Sequence, residues 1–242
     1  MPQKRERIKM FKIKIADIVV GINHKYQYVR RLCRDYETEE ENCAFCVSAT
    51  DEEIQTEQKG EKNFPAGYCE SLCVYRKLCL KMIEYDAFLM HSAVIAADGL
   101  AYVFAARSGV GKTTHIRLWQ KELGSRTQVV NGDKPIFRFR DGILYACGTP
   151  WQGKEGMGCN IMLPVQGLCF LERNSENHIR RLSMSEVADR IFHQLLIPEE
   201  EEKLDHFMAL VEKMITETNC WLLQCNQNQE AAQLAYQTMR RK

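Results

Sequence analysis

AYVFAARSGVGKTTHIRLW, residues Ala101 to Trp119, is the stretch whose reading decides the fold. The apolar run AYVFAA has the length and character of a buried strand. It breaks at Arg107-Ser-Gly-Val-Gly111, a turn that no regular element tolerates well. From Lys112 onward, KTTHIRLWQKEL reads as a helix. Strand, glycine loop, lysine, hydroxyl and helix start, in that order, suit the grip on a nucleotide triphosphate. Glycines let backbone N–H groups turn inward toward phosphate oxygens. A helix N-terminus adds unpaired donors and partial positive charge. In this reading Ser108, Gly109, Val110, Gly111, Lys112, Thr113 and Thr114 bind ATP. Lys112 reaches the β- and γ-phosphates and Thr113 ligates Mg²⁺. Ala106 stands where the full pattern has its first glycine, at a position that could need φ > 0.

Working outward, Phe88 to Ala96 and Leu100 to Ala105 are apolar runs joined through Asp98-Gly99, a strong hairpin signal. Thr127 to Asn131 reads as a short strand. Pro135 to Arg140 and Ile143 to Cys147 form a second hairpin around Asp141-Gly142, and Met162 to Leu171 is a further strand. Hairpins on both sides of the glycine loop imply a sheet with antiparallel pairing rather than a doubly wound parallel one. Ser185 to Leu196, Glu199 to Thr218 and Glu230 to Arg240 read as helices. Nearer the start, Phe11 to Ile15 and Ile18 to Ile22 are short strands, Gln55 to Asn63 a linker and Cys69 to Tyr85 an amphipathic helix. The expected organisation is an N-terminal α+β region over residues 1–63 and a phosphate-loop α/β domain over residues 64–242.

The 242 residues carry 33 basic and 32 acidic side chains, so bulk charge does not suggest a nucleic-acid partner. No window reaches transmembrane length, and the basic start MPQKRERIKMFKIKI lacks the apolar core of a signal peptide. The 11 cysteines then imply a reducing cytoplasm and free thiols. Cys43 and Cys46 have CxxC spacing, and with Cys69 and Cys73 they could form a four-thiolate zinc site. Helical periodicity at Cys69, Cys73 and Cys79 favours core filling instead, and no structural metal is expected.

A phosphate loop needs an acid to hold the metal and act on the acceptor. Asp133, in Asn131-Gly-Asp-Lys134 at the end of a short apolar strand, is the candidate for both. His91, in LMHSAV, weighs evenly between a core histidine and an active-site residue. Lys154 and Asn160, in the glycine-rich GTPWQGKEGMGCN, are candidates for contact with phosphate or acceptor. Trp119 and Trp151 read as packing residues, with base stacking as the alternative.

MHSAVIAADGLAYVFAARSGVGKTTHIRLW, VVNGDKPIFR, GTPWQGK and LCFLER together resemble the C-terminal kinase domain of HPr serine kinase/phosphorylase. The likeness is to HPr-kinase-related proteins of bacterial peptide-maturation clusters. It covers about Phe88 to Arg173, with weaker agreement over the helical tail and none through Asn63. The resemblance implies the phosphate-loop fold shared with phosphoenolpyruvate carboxykinase, on a sheet with antiparallel strands. It implies ATP and Mg²⁺, with Ser108 to Thr114 as the ATP loop and His91 as the active-site histidine. The family carries two adjacent aspartates after the next strand, where this chain has Gly132-Asp133. The family's arginine-bearing motif is replaced by GTPWQGK, which argues against HPr as acceptor. The expectation is a serine kinase acting on a peptide, a protein or free serine, with a homo-oligomer left open. The alternatives are a nucleotide-binding adaptor without transfer activity and, more weakly, a carboxykinase.

Overall fold

The structure, a computed structural model, describes residues 9–59 and 64–240. The first eight residues of the basic start lie outside the described residues, as do the end of the expected linker and the expected boundary at residue 63. The chain divides into two compact units, Met1–Met82 and Ile83–Lys242.

In the first unit, β1 (Lys9–Ile15) and β2 (Ile18–His24) pair antiparallel. Their turn is Ala16-Asp17, at φ 52 and 57. Next come α1 (Gln27–Leu32), β3 (Phe45–Ser48) parallel to β2, α2 (Asp51–Gln58) and α3 (Ala66–Met82). Thr50 and Glu53 form a capping box that starts α2. Part of the expected linker is therefore helix. The α3 helix, which the boundary at residue 63 would have given to the second domain, packs on α1, α2 and β3. It buries Cys69, Cys73 and Cys79 among its apolar residues. The Cys43 and Cys46 sulfurs lie 3.5 Å apart.

Nine described strands of the second unit form one mixed sheet. Along the chain these elements are β4 (Ala87–Leu89), β5 (Ala93–Ala97), β6 (Leu100–Ala105), α4 (Lys112–Leu123), β7 (Thr127–Asn131), β8 (Ile136–Arg140), β9 (Ile143–Cys147) and β10 (Met162–Arg173). There follow β11 (His178–Arg181), α5 (Met184–Ile191), α6 (Glu201–Glu217), β12 (Cys220–Cys225) and α7 (Gln229–Met239). The strand order runs β4-β8-β9-β10-β6-β5-β7, with β12 also on β10 and β11 on β12. Both expected hairpins are present. Asp98-Gly99 sits at φ 52 and 78 and Asp141-Gly142 at 51 and 77, the double left-handed turn that matches strand twist.

Two expectations change. The apolar run Phe88 to Ala96 is two strands, because the chain leaves β4 for β8 and re-enters as β5 beside β6. His91 thus lies between strands instead of within one. The C-terminal segment is not wholly helical, since β12 inserts parallel to β10 and β11 pairs with it. One core lies between the sheet and helices α4 and α7, built from Tyr102, Phe104, Leu171 and Trp221 against Ile116, Trp119, Ala235 and Tyr236. Trp119 is fully buried, and burying roughly 200 Å² of such a ring stabilises by about 5 kcal/mol. With Trp151 also buried, neither ring stands free to stack on a base. No described helix is long and apolar enough to cross a membrane.

Candidate functional site

Strand register explains why distant residues meet. Pairing of Ala93 with Phe104 sets the start of β5 beside the end of β6, where the glycine loop begins. Pairing of Val94 with Asn131 sets the end of β7 at that same place. His91, the loop and Asp133 therefore converge at one end of the sheet.

The loop turns through Gly109 at φ 79 and Gly111 at φ 128, values that L side chains rarely adopt. Gly111 caps α4, and its carbonyl accepts from His115 N at 2.9 Å. Lys112 opens the helix and is largely buried. Its Nζ donates to Ala106 O at 2.8 Å. Ala106 is not in the left-handed region, so its methyl meets no backbone strain there. Burial pushes Lys112 below its ordinary value, and the Asp133 carboxylate acts in the opposite direction. Ser108 is exposed, while Thr113 and Thr114 are half-buried in the first turn of α4. Arg173, at the end of β10, donates through Nε to Val110 O at 3.1 Å and through Nη2 to Gly109 O. The two carbonyls it holds belong to the middle of the loop.

Asn131 shapes the turn that carries Asp133. It is fully buried, and its Oδ1 accepts from Asp133 N at 2.8 Å and Lys134 N at 2.7 Å. Its Nδ2 donates to Thr149 O at 3.1 Å and Thr149 Oγ1 at 3.0 Å. The side chain thus folds its own turn and ties the 148–160 loop to it. Asp133 Oδ1 meets His91 Nε2 at 3.0 Å, and Lys134 Nζ lies 3.5 Å from Oδ2. Burial raises the Asp133 carboxyl, but the His91 hydrogen bond and the Lys134 charge outweigh it and hold the group below its ordinary value. Asp133 is thereby kept ionised, as a metal ligand or proton acceptor must be.

Gln194 links the two halves. Its carbonyl accepts from His91 N at 2.7 Å. With its amide turned so that nitrogen faces both carbonyls, it donates to His91 O at 3.1 Å and Ala106 O at 3.3 Å.

The 148–160 loop packs on the Asp133 turn, with Gly132 N donating to Met157 O at 2.9 Å. Gly153, at φ 73, leaves space that a Cβ would fill 2.8 Å from Asp133 Cβ. Lys154 follows it and is exposed, as is Asn160, and Glu155 pairs with Arg117 of α4. Gly153→Ala is expected to lose about 1 kcal/mol from backbone strain and to displace Asp133 as well. Gly156→Ala, at φ 60 with open space around it, carries the strain alone. Thermal melts should fall in both variants, and activity only in Gly153→Ala. Equal activity in the two would separate Gly153 from the site.

Sequence reasoning missed Arg173, Gln194 and the structural work of Asn131. Only Asn131 carried a signal, since Asn before Gly-Asp marks a side-chain-closed turn. The described residues contain no ready-made cluster of three or more His, Cys, Asp or Glu for a metal. One carboxylate, Asp133, and one hydroxyl, Thr113 in the first turn of α4, are oxygen donors of the kind that suit a hard cation which keeps several waters.

No protein-family model matches the chain, and no curated protein does. Among solved structures, the Hpr(Ser) kinase/phosphatase from Coxiella burnetii shows a distant likeness. It has 9% sequence identity and a TM-score of 0.37 over 62% of this chain and 93% of that one.

Proposed function

We propose that the chain is an ATP-dependent kinase that transfers the γ-phosphoryl group to a serine-type hydroxyl of a peptide, a protein or free serine. One observation carries this reading. A buried lysine at the end of a glycine loop shares its surroundings with a carboxylate that a histidine holds in place. The loop amides and the start of α4 bind phosphate oxygens, and Lys112 exchanges its bond to Ala106 O for one to the β- and γ-phosphates. Thr113 and Asp133 would hold Mg²⁺, whose positive charge would offset that of the phosphates. Asp133 accepts the proton of the attacking hydroxyl, and His91 orients that carboxylate. Lys154 and Asn160, both exposed on the 148–160 loop, would contact phosphate or acceptor. A coupled assay tests the reading. ADP release should depend on Mg²⁺ and rise when serine-bearing acceptors are added, whereas release indifferent to acceptor would count against it.

A second reading, a nucleotide-binding adaptor without transfer, is favoured by Gly132, which leaves one acid where the resembled kinases carry two. Ala106 no longer supports it, since that residue has ordinary backbone geometry. Gly132 is also outside the left-handed region, so an aspartate there carries no backbone strain. Its Cβ would lie 3.3 Å from Met157 O and 3.5 Å from Gln152 O. A carboxylate facing those oxygens and Asp133 is repelled until a cation arrives. Gly132→Asp is therefore expected to melt lower by about 1 kcal/mol without Mg²⁺ and to transfer phosphate faster with it. A stable variant with unchanged transfer at saturating Mg²⁺ would mean that Asp133 suffices alone.

A further inference from the structure

Cys43 and Cys46 belong to the first unit and take no part in the proposed phosphoryl transfer. Their sulfurs are in contact, at 3.5 Å. Among the described residues Cys46 is the one exposed cysteine, and Cys43 is half-buried. Thiol chemistry needs access as well as proximity, and this pair has both. The backbone around it is held in place. Thr38 N donates to Lys12 O at 3.0 Å, and Ala44 N donates to Val19 O at 2.8 Å. Lys12 Nζ donates to Glu40 O at 2.6 Å and Glu41 O at 3.1 Å. The segment that carries Cys43 is thus tied to β1 and β2. Cys46 is fixed in β3 by its register beside Gly21 of β2.

Gly21 is an independent observation. It lies within β2, the middle strand of its sheet, where glycine weakens a strand and packs nothing. Its backbone is not in the left-handed region, so conformation does not call for glycine. Space does. A Cβ at position 21 would lie 2.6 Å from Cys46 Sγ and 3.5 Å from Cys43 Sγ. The missing side chain leaves the place where the two sulfurs meet.

We propose that Cys43 and Cys46 are a reversible redox site, closed to a disulfide by exchange with a small-molecule disulfide such as glutathione disulfide. One of the two thiolates attacks a sulfur of glutathione disulfide, whose S–S bond breaks, and one glutathione thiolate leaves. The other protein thiolate attacks the resulting mixed disulfide at the protein sulfur and expels the second glutathione thiolate. The protein gives up two electrons and two protons, and two glutathione thiols carry them away. Closure brings the sulfurs from contact to a bond of about 2 Å, within reach of side-chain rotation on a fixed backbone. Excess glutathione reverses the step by the same route. The site is independent of the glycine-loop reading and stands whether or not the chain transfers phosphate.

The full chain is equilibrated in mixtures of reduced and oxidised glutathione, quenched with acid and N-ethylmaleimide, and digested with trypsin. Cleavage after Arg34 and Lys59 releases a peptide whose only cysteines are Cys43 and Cys46, so the other thiols do not confuse the readout. The expected product is that peptide two hydrogens lighter and free of maleimide, restored to a doubly alkylated form by dithiothreitol. Contact in the folded chain raises the effective concentration of the second thiol. The folded protein should therefore close at a proportion of oxidised glutathione about tenfold lower than the same chain in guanidinium. Cys43→Ser and Cys46→Ser should each stop at a glutathione adduct on the remaining thiol. The unaltered protein carries the first two comparisons, so they do not depend on how either variant folds. Full alkylation of both thiols in every mixture, separate glutathione adducts with no internal bond, or closure at the same proportion in guanidinium would each overturn the proposal.

Discussion

Lys112→Ala is expected to lose MgATP affinity by about a hundredfold, the equivalent of roughly 3 kcal/mol. The ammonium is largely buried at the start of α4, with its Nζ turned back to Ala106 O. In that setting a charge-assisted bond to phosphate is stronger than it would be in water. Removing the cation leaves loop amides and the helix start to hold a highly anionic group alone. The fold should survive, because the lysine contributes one hydrogen bond and no apolar anchor comparable to Trp119. Calorimetry in the presence of Mg²⁺ reads the change, and a melting curve checks the fold. Unchanged affinity in a folded variant would remove the glycine loop from the account.

Asp133→Asn should lower phosphoryl transfer by about 10²- to 10⁴-fold while changing MgATP affinity far less. The substitution is nearly isosteric, so the Asn131-closed turn and the contact with Gly153 persist. What disappears is the negative charge, with its capacity to take a proton and hold a cation. The split between turnover and affinity separates this role from a merely structural one. Transfer at the unaltered rate would move the base elsewhere, and His91 is the next group in line.

Local chemistry made much of this arrangement legible in advance. Asp98-Gly99 and Asp141-Gly142 set their own turns through left-handed backbone, so both hairpins could be read from two residues each. Glycines at 109 and 111 announced the loop in the same way. Cys220–Cys225 was harder, because a six-residue apolar run between helices does not reveal its period, and its place beside β10 is set by tertiary pairing. The split of the Phe88 to Ala96 run followed from a change of strand partner at Met90 to Ser92, which no local propensity encodes. The meeting of His91 with Asp133 depends on the registers of β5 on β6 and on β7. Arg173 and Gln194 were invisible for a related reason: each acts on backbone carbonyls remote in sequence, and nothing in the types Arg or Gln signals that work.

The central claim is that the γ-phosphoryl group passes from a nucleotide on the glycine loop to a serine hydroxyl beside Asp133. Incubation with γ-labelled ATP, Mg²⁺, free serine and a pool of serine-containing peptides tests it most directly, with products identified by mass spectrometry. The account predicts label on a serine hydroxyl with the unaltered protein and almost none with Asp133→Asn. Label that never leaves ATP across that acceptor pool, in a protein that binds MgATP through Lys112, would contradict it.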